Sequence, residues 1–241
     1  MLKPCREQSK NLRGGKKRSR IVVVGGTAPW QTRSMISVVI PTLDAEAVLP
    51  DTLSALISAT VDGLVREVIV VDGGSKDRTC EIADAAGAEV VNAGPGRAGQ
   101  LIAGAARAKH PWLMFLYPET VLDPGWEREA SLFMERVDTG RAKLAAAAFC
   151  FALDYEGLAP RCIEGLARLR CLAFRLPYGD QGLLIPRLLY EQAGGYRERV
   201  REDVDLARRV GSGNIRMLRS RAVKSTQRYS PERQLRQAIT P

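Results

Sequence analysis

Histidine is almost absent from this chain. Its 241 residues include only His110, and its five cysteines, Cys5, Cys80, Cys150, Cys162 and Cys171, form no Cys-x-x-Cys pair. So few imidazole and thiolate ligands argue against a zinc site. An odd number of unpaired thiols fits reduced cysteines in a cytoplasmic protein better than a disulfide framework. Long hydrophobic runs are also missing, and none nears the ~20 apolar residues of a membrane-spanning helix. The basic start has only residues 21–24 as an apolar core, short of the ~7–15 residues of a secretory h-region, so no secretory signal is expected. Aromatic residues make up only 6% of the chain. The basic ends carry no nucleic-acid-binding motif or aromatic platform, which sets nucleic acid aside as a partner. Gly25 and Gly26 follow a short apolar run, but Thr27, Ala28, Pro29 and Trp30 come next, so the dinucleotide Gly-x-Gly-x-x-Gly fingerprint is not completed.

Positive charge, in contrast, is plentiful. Lys and Arg total 36 against 27 Asp and Glu, a net charge of +9. That balance suits an anionic partner such as a nucleotide phosphate or an anionic lipid surface. Much of it lies at the two ends. Residues 1–34 read as a basic, disordered extension and residues 231–241 as a tail, with Met35 directly before the first strong strand.

Between them, residues 35–230 read as one α/β domain. Residues 36–40 form a buried-strand run ended by Pro41 and Thr42, and Asp44 is placed to cap a helix over 45–59 with the stripe Val48, Leu49, Leu53, Leu56 and Ile57. Residues 68–71 are a second apolar run leading into Asp72, Gly73 and Gly74. Ser75 or Asp77 can cap the helix that follows. Strands over 88–92 and 112–116 flank a small-residue helix over 97–108. This alternation predicts a Rossmann-like, mostly parallel sheet flanked by helices. Asp72 then sits at the carboxyl end of a strand, where open α/β sheets bind ligands. It serves there either as a ligand contact or as the cap of its own turn.

Three segments follow one another in this half: Ile-Pro-Thr-Leu-Asp ending at Asp44, Asp-Gly-Gly-Ser-x-Asp-x-Thr from Asp72, and Gly-Arg-Ala-x-Gln from Gly96. Tyr-Gly-Asp-Gln-Gly from Tyr178, Gly-Gly-Tyr from Gly194 and Glu-Asp-Val-Asp-Leu-Ala-Arg-Arg from Glu202 come later. In this order they resemble a family 2 glycosyltransferase of the GT-A fold. Within that family they are most similar to the bacterial enzymes associated with radical-SAM and selenium-domain genes. The resemblance covers about 36–229. It implies a nucleotide-binding half over about 36–125 and an acceptor half over about 126–230.

The resemblance implies an inverting transfer from a nucleotide diphosphate sugar to a lipid or small-molecule acceptor hydroxyl. The alternative is a nucleotide-sugar-binding protein of the same fold with weakened or lost catalysis. Pro41, Thr42, Asp44, Asp72, Gly73, Arg97 and Gln100 are the implied nucleotide-binding residues. Arg97 opens a helix, where guanidinium and free N–H groups meet phosphate; its other reading is a solvated charge. Asp203 is the implied base, with Glu202 orienting it or the acceptor; the bland reading is an acid-rich helix start. Gly179, Asp180, Gln181 and Gly182 are the implied loop beneath sugar and acceptor.

Two departures from the family pattern stand out. The family ends its fourth strand with two aspartates or a His-Ala-Asp variant, and here Tyr117 replaces the first of these residues and Glu119 falls where the second acid belongs. A divalent Mn or Mg ion on Glu119 and the diphosphate is one expectation, and Arg or Lys side chains neutralising the leaving group are the other. Asp123 reads first as part of an Asp-Pro-Gly turn. Glu46 arrives one position late, which weakens a ribose contact. Residues 161–176 form a basic amphipathic pattern that either packs on its own domain or makes peripheral contact with an anionic membrane.

Overall fold

The strands alternate apolar residues between two hydrophobic faces, and both faces are covered. In β1 (Ile36–Thr42), Val38 and Ile40 enter one core with Val70, Met114 and Trp126, while Val39 enters the other with Ile69, Val71 and Leu101. A strand buried on both sides reads as a continuous apolar run, so these segments lack polar alternation. The computed structural model describes residues 34–153, 181–198 and 201–224.

The chain continues through α1 (Leu49–Ser54), α2 (Ile57–Val61), β2 (Val65–Asp72), α3 (Thr79–Ala85), β3 (Glu89–Asn92), α4 (Arg97–Arg107) and β4 (Trp112–Phe115). Then come β5 (Thr120–Leu122), α5 (Trp126–Asp138), β6 (Ala146–Leu153), β7 (Leu183–Pro186), α6 (Arg187–Gln192), α7 (Glu202–Val210) and β8 (Ile215–Lys224). The 8-stranded sheet has the order β3-β2-β1-β4-β7-β6-β8-β5. β1, β2, β3 and β4 are mutually parallel. β7 runs antiparallel to both β4 and β6, and β8 is parallel to β6. It follows that β6 and β8 point the same way as β1 to β4. Their carboxyl ends share one sheet edge with the start of β7 and, through its antiparallel pairing to β8, the start of β5.

Helix α4 lies very close to the sheet. A Cβ added at Gly104 would sit 2.3 Å from Val39 Cγ1 and 2.9 Å from Val71 Cγ2, so only glycine fits this contact. The helix expected over 45–59 is instead two short ones. Asp44 does not cap it: its φ is 47°, and α1 begins after Val48 without a side-chain cap. The Leu56 N–H bonds back to the Leu53 carbonyl, and the Trp126 indole N–H donates to the Ala55 carbonyl at 3.0 Å. This tightened junction turns Ile57, expected in the buried stripe, out to solvent.

Candidate active site

The carboxyl ends of β1 and β2 are tied together before any ligand is considered. The Gln100 amide on α4 donates to the Thr42 carbonyl at 2.6 Å and the Val71 carbonyl at 3.0 Å. A Cβ on Gly73 would lie 2.7 Å from that amide nitrogen, which explains the glycine. Asp72 is buried. Its carboxylate accepts the N–H groups of Gly74 and Ser75 at 2.9 and 2.8 Å, the Ser75 hydroxyl, and the Thr42 hydroxyl at 3.3 Å. Burial pushes the Asp72 carboxyl up, but the Ser75 hydroxyl and these N–H donors outweigh it and hold it below the ordinary range. Asp72 is therefore the organiser of its own turn.

The two loops above are laced reciprocally. The Asp44 N–H donates to Ser75 Oγ at 2.8 Å, and the Asp44 carboxylate accepts the Lys76 N–H at 2.7 Å. The Ala45 N–H donates to Thr79 Oγ1 at 2.7 Å. The Glu46 N–H donates to Asp77, and the Glu46 carboxylate accepts the Arg78 N–H, both at 3.0 Å. Glu46 is thus a loop clasp. Asp77, expected as one of two candidate caps, stands one residue before the N-cap residue Arg78 and accepts the Thr79 N–H at the entry to α3. The motif positions Ser75, Asp77 and Thr79 build this lacing, and their spacing from Asp44 was the only hint of it in the sequence.

A second group forms around the start of α4 and the end of β4. The Arg97 guanidinium lies over the Tyr117 ring, 4.5 Å from its centroid, and Arg97 Nε is 4.0 Å from Glu202 Oε1. The Leu116 N–H bonds to the Val39 carbonyl, which sets Tyr117 beside the end of β1. Tyr196 joins this group to α7. Its ring meets Phe115 edge-on at 4.8 Å, and its N–H donates to the Tyr190 hydroxyl at 3.0 Å. Burial first, then Tyr117, Asp203, Tyr190 and Glu202, push the Tyr196 hydroxyl well above the ordinary tyrosine range. Arg201, before α7, has a left-handed φ of 65°. Asp44 and Arg201 are the only non-glycine residues with positive φ among the described residues, and both stand at this edge. Backbone held in such a region has a cost, and it gathers at functional sites.

Glu119 lies two residues past Tyr117, and its carboxylate is 3.8 Å from Lys224 Nζ, with side chains only 12% and 10% exposed. Lys224 ends β8 opposite Thr120. A divalent ion of the magnesium or manganese type takes oxygen ligands, commonly one or two carboxylates beside substrate phosphates and water. Here Tyr117 is no carboxylate, Glu119 is paired with an ammonium, and no group of three His, Cys, Asp or Glu among the described residues is arranged to hold a metal. Among the described residues, those at the expected metal seat do not make an acidic ligand set.

Thr42, Asp72, Gly73, Glu119, Gln181 and Gly182 belong to this edge by strand direction, Gln100 by its bonds to the ends of β1 and β2, and Arg97 and Glu202 by their contacts; Asp203 follows Glu202 at the start of α7. Pro41 pairs with Val71 near the end of β1. A Cβ on Gly182 would meet Leu116 and Phe149 at 3.2 Å. Gly179, Asp180 and the amphipathic pattern over 161–176 lie outside the described residues. Asp123 pairs with Arg221 at 2.5 Å beside its turn. Lys224 and the bridging role of Tyr196 were not anticipated.

Known proteins share this fold. Residues 37–139 match the family model Glycosyl transferase family 2. The fold is GT-A. Solved neighbours include the glucosyl-3-phosphoglycerate synthase of Mycobacterium tuberculosis in complex with phosphoglyceric acid, at a TM-score of 0.54 and 24% identity, covering 86% of this chain and 78% of that one. The same enzyme with Mn2+ and UDP-glucose matches at 0.54 and 22%, covering 85% and 75%. At this identity the likeness establishes the fold. Among curated proteins, the glucosyl-3-phosphoglycerate synthase of Mycolicibacterium paratuberculosis is 53% identical over 57 residues, which is 24% of this chain and 17% of that protein. The match therefore spans less than a fifth of the curated relative. No helix among the described residues is long and apolar enough to cross a membrane.

Proposed function

We propose that this chain is a glycosyltransferase that moves a sugar from a nucleotide diphosphate sugar to the hydroxyl of a small-molecule acceptor. The observation that carries the reading is the meeting of three groups on one sheet edge: the laced Asp72 turn, Arg97 at the start of α4, and the acid pair opening α7. In this reading the backbone of Pro41, Thr42 and Gly73 flanks the base, and the Asp72 turn keeps that backbone in place. Arg97 faces the diphosphate, as a guanidinium suits phosphate geometry. Asp203 takes the acceptor proton as the new C–O bond forms, and the nucleotide diphosphate leaves with the bonding pair. Direct attack of this kind inverts the anomeric centre. Glu202, 4.0 Å from Arg97, orients the pair.

UDP-glucose and phosphoglyceric acid are the first donor and acceptor to test, because they are the ligands of the solved neighbours. The pairing of Glu119 with Lys224 favours a second reading, a nucleotide-sugar-binding protein with weakened turnover. One experiment separates the two. UDP-glucose is incubated with a panel of phosphorylated and hydroxylated acceptors, and products are read by mass spectrometry and anomeric NMR. Transfer with inversion, lost in Asp203→Asn, is the expected result. A retained anomer removes Asp203 from the base role. Binding of the sugar nucleotide without transfer supports the second reading, and no binding overturns both.

A further inference from the structure

We propose that the donor diphosphate is held by two resident cations, Lys224 and Arg97, where a divalent ion would otherwise act, so that donor binding needs no added metal. The inference rests on the reading of this edge as a nucleotide diphosphate sugar site.

The Glu119–Lys224 pair is the first support. Lysine is rarely buried without a partner, and both of these side chains are largely withdrawn from water. A divalent ion on Glu119 would stand beside the ammonium, and repulsion between two cations grows as solvent is excluded. Register supplies the second support. Lys224 is paired to Thr120 and Leu153, which fixes it at the carboxyl end of β8 and therefore on the edge that carries Thr42 and Asp72. The third support is Tyr117, whose ring face is covered by the Arg97 guanidinium. The position that would need a carboxylate for a metal serves instead to steady a cation.

These groups supply what a metal would. A divalent ion brings positive charge to the leaving diphosphate, and an ammonium and a guanidinium, each beside a carboxylate, bring two cationic groups to the same place. Lysine acts as a compact point charge and arginine as a planar fork, and both bind phosphate oxygens. Glu119 is then a positioning residue that holds Lys224 toward the edge before the donor arrives. As the bond from the anomeric carbon to the diphosphate oxygen breaks, its electron pair goes to an oxygen already facing these cations. No proton or further reactant is needed at that oxygen.

Calorimetric titration with UDP tests this directly on the full chain, once in EDTA and once with Mn2+. The expected affinities agree within about twofold. Lys224→Met and Arg97→Met each weaken UDP about tenfold or more, the loss expected for a hydrogen bond to a charged group, and Lys224→Arg keeps most of the binding. Lys224→Met leaves Glu119 without its ion pair, so the double variant Glu119→Gln, Lys224→Met is measured beside it, with melting curves for each. It too should bind UDP weakly while remaining folded. UDP binding that vanishes in EDTA and returns with Mn2+ overturns the inference and leaves the transferase reading standing. So does a folded double variant that binds UDP like the parent. No binding of UDP under either condition overturns both.

Discussion

At the Asp72 turn a buried carboxylate is met by backbone N–H groups and nearby hydroxyls, whereas at Glu119 a half-buried carboxylate is met by an ammonium. The first arrangement is mostly local, made by Gly74 and Ser75 directly after Asp72 together with Thr42 on the adjoining strand, and sealed by the Gln100 amide. It fixes a backbone shape. The second joins the end of β4 to the end of β8, and its neighbour joins Arg97 to Glu202. It fixes charges that can be re-paired when an anion binds. One half of the edge is a mould and the other is a set of counter-charges. Substitutions should separate the two by which quantity they change.

The largest effect is expected at the charged half. Asp203→Asn should lower turnover about 10²- to 10⁴-fold, the range for loss of a positioned base, with little change in UDP-glucose affinity or melting temperature. Steady-state kinetics beside a melting curve checks this. A parallel fall in stability would place Asp203 in the mould instead. Asp72→Ala should do the reverse. It leaves the Gly74 and Ser75 N–H groups without their acceptor, at a cost of about 2–3 kcal/mol, read as a lower denaturant midpoint together with weaker nucleotide binding.

Gly104→Ala is a smaller test of the mould. The added methyl must displace Val39 or Val71, an overpacking worth about 1–3 kcal/mol, from which the better helix propensity of alanine recovers up to about 1 kcal/mol. A net loss of stability, by urea denaturation, is expected. The pH dependence is the gentlest probe. The Asp72 carboxyl is held below its ordinary range, and so is Glu129, where burial raises it but the Arg219 N–H and the Ser220 hydroxyl and N–H lower it further. Carboxyls depressed on folding stabilise above their unfolded values of about 4 and lose that contribution as pH falls through the folded values. Melting temperature should therefore decline from about pH 4 downward, less steeply in Asp72→Asn.

The mould was largely legible in the sequence. The apolar runs announced β1 and β2, and Asp72 and the paired glycines marked the strand end and its turn. The capping role of Asp72 was one of its two readings because the residues that satisfy it lie directly after it in the chain. The charged half was less legible. Tyr117 and Glu119 could be seen to break the metal pattern, and a basic side chain was one expected substitute. The pairing of Glu119 with Lys224 depended on β8 pairing antiparallel to β5 in a register that sets Lys224 opposite Thr120, and no local pattern encodes that. The broken helix after Asp44 escaped for a similar reason. Its junction is held by Trp126, far along the chain, and the stretch before it is held by the bonds of Asp44 to Ser75 and Lys76.

Hydrogen–deuterium exchange with and without UDP-glucose tests the central claim most directly, because it reads where the donor binds. The account predicts protection in peptides spanning 41–46, 72–79 and 96–101, with little change in α5. Protection confined to other segments, or none at saturating UDP-glucose, would contradict a donor site at the carboxyl edge of this sheet.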